Sequence, residues 1–456
     1  MVGTIWLATG ALSSGWAQTI DSGAELRANL RLGVDGCLTQ PGACPWLDFQ
    51  DAAVFAPWVE ARPNSRVVAR GAVDFRLHGS SELGSLEDAT DPDLLQSSSI
   101  RIQDAWVGMR GESLNISLGA ERVSWGVADG FSVVDRINPW DLTDPTRFDQ
   151  RLSVPLALLV LHRGAVQLDV VAVPFFQPAA LPAASVDLTA SADELFDADA
   201  TGAGDVDVGT LETRLTMPDV GPASSTLGTR LRLTLPSVDL GLSWSHGPDS
   251  MPQVDGDISL VGLQTNQDHV DLAIPMRFPM VDIGGFDLRT ELPAEITAWA
   301  EMALVIPERT VATTNEWQLQ ALLDLGTISE IPDPLPQTVT QDGNPYLRWI
   351  GGLARHFGGV YIQAQWLRGF PTERKQSELG DYLLLGARWP LTPTVKLELG
   401  GITDLAAYMT RAEVAWLVAD SAELQLGAAW IDGEATSTLG AFQAVSHIRS
   451  SIKMAF

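Results

Sequence analysis

Two cysteines, four tyrosines and six histidines are all that 456 residues contain of those types. The histidines (His78, His162, His246, His269, His356 and His447) are scattered and show no zinc spacing. No G-x-S-x-G or H-E-x-x-H stretch occurs, so the sequence offers no catalytic or metal constellation and reads as non-enzymatic. Beyond the amino terminus, no run reaches the roughly 18 consecutive apolar residues of a membrane-spanning helix. The longest, 154–161, stops at His162. Basic residues are also scarce, at 29 Lys and Arg against 57 Asp and Glu, a formal net charge of −28. Such a chain repels phosphate, which excludes nucleic acid as a partner and excludes anchoring to anionic lipid by a basic patch. A chain with 45% apolar residues and no spanning helix leaves two solutions. One is a soluble all-β protein. The other is a transmembrane barrel, whose strands give only alternate residues to lipid.

What is present is period two. Ala24, Leu26, Ala28, Leu30 and Leu32 alternate with Glu25, Arg27, Asn29 and Arg31. Leu227, Leu231, Leu233 and Leu235 alternate with Arg230, Arg232 and Thr234, and the pattern returns at 238–245, 296–304, 360–368, 410–418 and 422–430. Very short connections (63–65, 111–112, 163–164, 236–237, 291–293, 358–359, 390–392, 419–421) alternate with long ones (34–53, 79–99, 124–152, 175–224, 247–279, 306–345, 432–444). A sandwich has no reason to alternate in this way, whereas a barrel with tight turns at one end and long loops at the other does. The expected fold is an all-β, antiparallel up-and-down transmembrane barrel of about 18 strands. Sixteen is the alternative, because 54–61 is the weakest strand. Both termini fall on the periplasmic side. Trp244, Trp366, Trp389, Trp416 and Trp430 lie near strand ends on the apolar face, as an interfacial girdle requires.

Residues 1–17 read as a secretory signal ending small-x-Ala at Gly15-Trp16-Ala17, without the usual basic n-region, and 18–456 as one barrel domain. In an oxidising compartment Cys37 and Cys44, which flank a Pro41-Gly42 turn, would form a disulfide. The terminal alternating strand ends at Phe456, which resembles the signal by which the barrel-assembly machinery recognises its clients. The expected location is the outer membrane of a Gram-negative bacterium, with outer-membrane lipid as the surrounding partner.

Charge divides by region. The segment 183–222 carries nine acids against Arg214 and reads as a long acidic outer loop. Within it, Asp197-x-Asp199 resembles the start of a calcium loop, but Val208 stands where the bidentate Glu belongs, so Ca²⁺ is a weak alternative to no cofactor. Strand charges cannot face lipid, where each Arg or Lys costs roughly 2–4 kcal/mol at the midplane. Arg27, Arg31, Arg70, Arg76, Glu121, Arg230, Arg232, Glu295, Glu301, Arg348, Arg388, Arg411 and Glu413 are therefore assigned to the lumen wall. The lumen is expected to be wet and partly ion-paired, since a barrel this wide is not filled by its own side chains.

The loop 124–151 is too apolar to float in water. It is expected to fold into the barrel mouth as a constriction or plug, with a short helical turn capped by Asn138 ahead of Pro139. Its candidate residues are Trp125, Asp129, Asp135, Arg136, Asn138, Asp141, Asp144 and Arg147. A loop packed over the rim without gating is the alternative. Trp125-Gly126, Asp129, Asp135 and Asn138-Pro139-x-Asp141-Leu142 resemble the signature of a proteobacterial outer-membrane family catalogued as a domain of unknown function, number thirteen-oh-two. So do Val173-Pro174-Phe175-Phe176-Gln177-Pro178, Tyr361, Gln363-Ala364-Gln365, Gly369-Phe370, Asp381-Tyr382 and the Lys453-x-x-Phe456 ending. The resemblance implies a porin-like outer-membrane barrel and no defined substrate.

The functional expectation is a channel for passive or facilitated diffusion of small solutes, including hydrophobic ones, past the 124–151 loop. A docking barrel within a larger envelope transport or motility complex is the second reading, with envelope-complex partners. An outer-membrane hydrolase whose triad assembles only in space is the weakest.

Overall fold

A computed structural model describes residues 19–33, 53–77, 98–144, 147, 150–180, 207–264, 269–314, 337–434, 437–440, 442 and 446–456. Eighteen strands form one closed antiparallel sheet. Each pairs with its chain neighbour in the barrel, and Thr19–Gly33 closes the ring on His447–Ala455. The weakest expected strand is present as Ala53–Arg62, so 18 strands stand and 16 do not.

Eight tight turns lie at one end, here the turn end, together with Phe456, whose N–H donates to the Ala24 carbonyl at 2.9 Å. Nine connections lie at the other, the loop end. Seven are the long ones read from the sequence. The other two are 369–380 and the tight turn 404–406, where the long-short alternation fails. In that turn Asp404 accepts the N–H groups of Ala406 and Ala407, and Leu405 is fully exposed at φ 73°.

The two faces separate as period two demands. Leu240 lies between Leu233 and Leu288 on the outside, and Leu242 between Leu231 and Phe286. On the inside of the same strands, Ser243 lies opposite Arg230 and Gly241 opposite Asp287. Exposed Leu, Val, Ile, Phe and Met cover the outer wall, with exposed Trp389 and Trp416 toward the turn end and Trp244 and Trp366 toward the loop end. A soluble protein does not leave so much contiguous apolar surface in water. With the hydrogen-bond ladder closed, this is a bilayer-spanning barrel.

Three expectations are corrected. Residues 207–216, assigned to the acidic loop, form a strand parallel to His269–Arg277 in a second, six-stranded sheet. That sheet also contains Gln253–Val254, Gly256–Gln264, Thr310–Thr314 and Gln337–Gln341, all read from the sequence as loop. Glu295 is not on the lumen wall: it sits at φ 58° in the exposed turn after Leu292. Nor is the lumen uniformly polar. Toward the loop end its inner face is apolar, with Val281, Ile283, Ala303, Val305, Ile350, Leu367, Ile402, Met409 and Ile431 all buried.

Candidate functional site

That apolar inner band explains where the segment between Leu114–Glu121 and Val154–Arg163 goes. It folds inward and packs on the wall in three clusters. Trp125 and Ile137 meet Val154, Leu156, Val171 and Val173. Val134 meets Val281, Ile283 and Ala303. Phe131 and Leu142 meet Phe370, Tyr382, Ile402 and Met409.

One wall residue organises the first turn of this plug. The Glu301 side chain, 0% exposed, takes four donors. Val127 and Ala128 N–H donate to Oε1 at 2.6 and 2.7 Å; the Ser132 hydroxyl and Val133 N–H donate to Oε2 at 2.8 and 3.0 Å. A buried carboxylate is tolerable only when hydrogen-bonded in this way. Gly126 permits the approach. It has φ 98°, and a Cβ there would lie 2.4 Å from Glu301 Oε1. The next bond belongs to Gln365, whose amide donates to the Asp129 carbonyl at 2.7 Å while its oxygen accepts the Trp299 indole N–H.

The described residues of the segment contain no helix, so the Asn138 cap is corrected. Asn138 is a clamp instead. It accepts Val123 N–H at 2.7 Å and donates to the carbonyls of Glu121 and Leu152, tying the two ends of the segment together. An Asn offers one acceptor and two donors, and the buried loop base uses all three.

The plug charges are mostly spent on attachment. Arg136 donates to the carbonyls of Val281, Gly247 and Pro248, and burial lowers its pKa. Asp141 pairs with Arg101, and Asp144 with Arg31. Arg147 lies 3.9 Å from Glu413, which pairs with Arg449. Asp135 lies 4.0 Å from Arg151. Burial dominates both: it pushes Asp135 up to about 6 and Arg151 down to about 10. Asp129 alone of the expected acids faces open lumen, 3.4 Å from Arg388.

Below the plug, toward the turn end, the lumen is polar and open. A cavity of about 870 Å³ is bounded by Glu25, Arg27, Arg70, Asp74, Arg76 and Asp104. These six are paired with one another: Arg70 with Asp104 at 3.0 Å, Arg76 with Asp74 at 2.9 Å, Arg27 with Glu25 at 2.8 Å. A second chamber of about 660 Å³, with a recess of about 170 Å³, lies on the side of Tyr361 and Arg388. Arg411 lines the recess. Arg230 pairs with Asp287 at 2.7 Å, with Arg232 half-buried on the same inner face. Glu121 accepts the Ser117 hydroxyl, and Arg348 donates to the Glu373 carbonyl.

Sequence reasoning passed over Glu373. Its Oε2 accepts the N–H groups of Phe370 and Gly380 at 2.7 and 3.0 Å, and Oε1 accepts the Tyr382 hydroxyl. It holds the 369–380 loop inward against the plug just as Glu301 holds the plug itself. Cys37, Cys44, Asp197 and Asp199 lie outside the described residues.

No protein-family model and no curated protein sequence matches the chain. Solved structures are similar to it. OccAB1 of Acinetobacter baumannii is 8% identical, with 98% of each chain covered and a TM-score of 0.49. Pseudomonas aeruginosa OpdK, solved with vanillate, is 7% identical over 97% of this chain and 100% of its own, at 0.48. Wzi of Escherichia coli, an outer-membrane protein involved in group 1 capsule assembly and a carbohydrate-binding β-barrel, is 10% identical over 96% and 85%, at 0.47.

Proposed function

We propose that the chain is an outer-membrane channel for small solutes, in which the 122–153 segment narrows the lumen between an apolar loop end and an ionic turn end. The observation that carries this reading is the Glu301 cradle. A wall carboxylate and a glycine that must be glycine fix the first turn of an inward-folded segment, with open polar chambers directly beneath it. A segment that only sealed the barrel would need no chambers beneath it; one that only covered the rim would need no anchor on the wall. The outward apolar belt, the closed ladder and the resemblance to the thirteen-oh-two family support the bilayer setting. Binding of small solutes by such a lumen follows from its shape and polarity, with the apolar band admitting partly hydrophobic ones.

Liposome swelling tests this. Vesicles carrying the folded barrel should swell in small solutes and exclude large ones. Vesicles as tight as protein-free controls would contradict the reading.

A second reading, a docking barrel, is favoured by the six-stranded sheet beyond the barrel, whose strands include a parallel pair built from separate loops. Stoichiometric co-purification of an envelope partner would support it.

A further inference from the structure

The two sides of the turn-end lumen treat charge differently. On one side, Arg70 and Arg76 are each matched to neighbouring carboxylates. On the side of Tyr361, Arg289 and Lys396 are not. The 660 Å³ chamber is lined by three cations, Arg289, Arg388 and Lys396, against two carboxylates, Asp129 and Glu398. Among the described residues, Arg289 and Lys396 make no ion pair, and Arg388 holds only the partly exposed Asp129. This excess of positive charge occurs inside a chain whose formal net charge is −28. Like charges gathered on one wall of a lumen repel one another, and a mobile anion relieves that repulsion.

The rest of the lining suits a compact oxyanion. Arg388 lies over the Tyr361 ring, 5.5 Å from its centre, which orients the guanidinium. Val127 and Ala128 close the chamber from the plug, and Gly359 and Pro390 mark its turn-end mouth. The floor of the plug and the chamber are therefore one structure: the residues that reach Glu301 with their N–H groups form the roof above the cations.

We propose that this chamber is a binding site for a small multivalent oxyanion, carboxylate or phosphate, recruited by Arg289 and Lys396 with Arg388 beside them. The proposal deepens the channel reading and rests on it for its biological sense, but binding itself needs no flow through the barrel.

The test is isothermal titration calorimetry on the purified, detergent-folded protein, with citrate and inorganic phosphate as separate probes. Wild type should bind at least one of them, more weakly as salt rises. The double variant Arg289→Gln, Lys396→Gln should lose about tenfold or more in affinity. A charge-matched control, Arg62→Gln, Arg66→Gln at an exposed turn, should not. Both lumen side chains are exposed to the cavity, so heat-modifiable mobility on gels should show the double variant folded as wild type. Tighter citrate binding assigns the site to organic carboxylates, and tighter phosphate binding assigns it to phosphate. No binding of either anion, or equal affinity in the double variant, overturns the site. If steady conductance accompanies that failure, the channel reading survives without it.

Discussion

The Glu301 carboxylate and Gly126 are fitted to each other: a single methyl on Gly126 would sit 2.4 Å from Oε1, inside the space the carboxylate uses to accept the next two backbone N–H groups. The wall and the plug are thus coupled at one point, and that point can be broken from either side.

Breaking it from the wall is Glu301→Gln. The amide keeps one acceptor oxygen and turns a donor toward N–H groups that need an acceptor. Stranding a buried N–H without its acceptor in this way costs about 1–3 kcal/mol. The plug should loosen while the 18-strand ladder persists. Urea unfolding in detergent should show a lower midpoint, and protease should cut within 125–133 where wild type resists.

Breaking it from the plug is Gly126→Ala. The left-handed backbone adds about 1–3 kcal/mol to the overlap. The expected phenotype matches that of Glu301→Gln, and the double variant should be no worse than the more damaged single, because both remove the same contact.

Asp135 supplies a pH dependence. Its folded pKa, about 6, is raised above the ordinary 3.8 by burial, and its Oδ1 has no hydrogen-bond donor. The protonated form is therefore favoured in the folded protein. At pH 3.8 and below the site carries almost no penalty. As pH rises from 3.8 through 6 the unfolded chain ionises first, so stability falls, by up to about 3 kcal/mol, and is flat above. Asp135→Asn should accordingly be more stable than wild type at pH 7.5 and nearly equal to it near pH 4, in paired urea titrations. A gap that widens toward low pH would contradict this assignment.

The Arg230–Asp287 pair, 2.7 Å apart and almost fully buried, sits in a slot left by Gly241, where a Cβ would be 2.1 Å from Asp287 Oδ2. Asp287→Ala alone should cost about 3–5 kcal/mol by stranding the guanidinium. Adding Arg230→Met should recover part of that loss, which a double-mutant cycle of unfolding free energies will show.

The strand faces were legible in the sequence because a barrel wall makes one demand on every residue, inward or outward, and Leu231, Leu233, Arg230 and Arg232 answer it at period two. The burial of Phe131, Val134 and Ile137 was legible for a related reason: they have no place in water. Depth was not legible. Alternation says that Glu301 and Val305 share a face but not that one meets a plug and the other an apolar band, because position along the barrel axis depends on which strands are neighbours. Asn138 before Pro139 obeyed a helix-start rule locally, yet it was claimed by the loop base, whose two ends it holds together. Residues 207–216 pair with 269–277 across a long sequence separation, a register no local pattern encodes. Glu295 illustrates the ±1 error of reading turns, where one residue decides between wall and solvent.

The central claim is that the Glu301-anchored segment sets the passage through the barrel, and single-channel recording in planar bilayers tests it most directly. Wild type should show small, steady conductance, and Gly126→Ala and Glu301→Gln should each give larger, noisier openings. Equal conductance in all three, or none from correctly folded protein, would contradict the account.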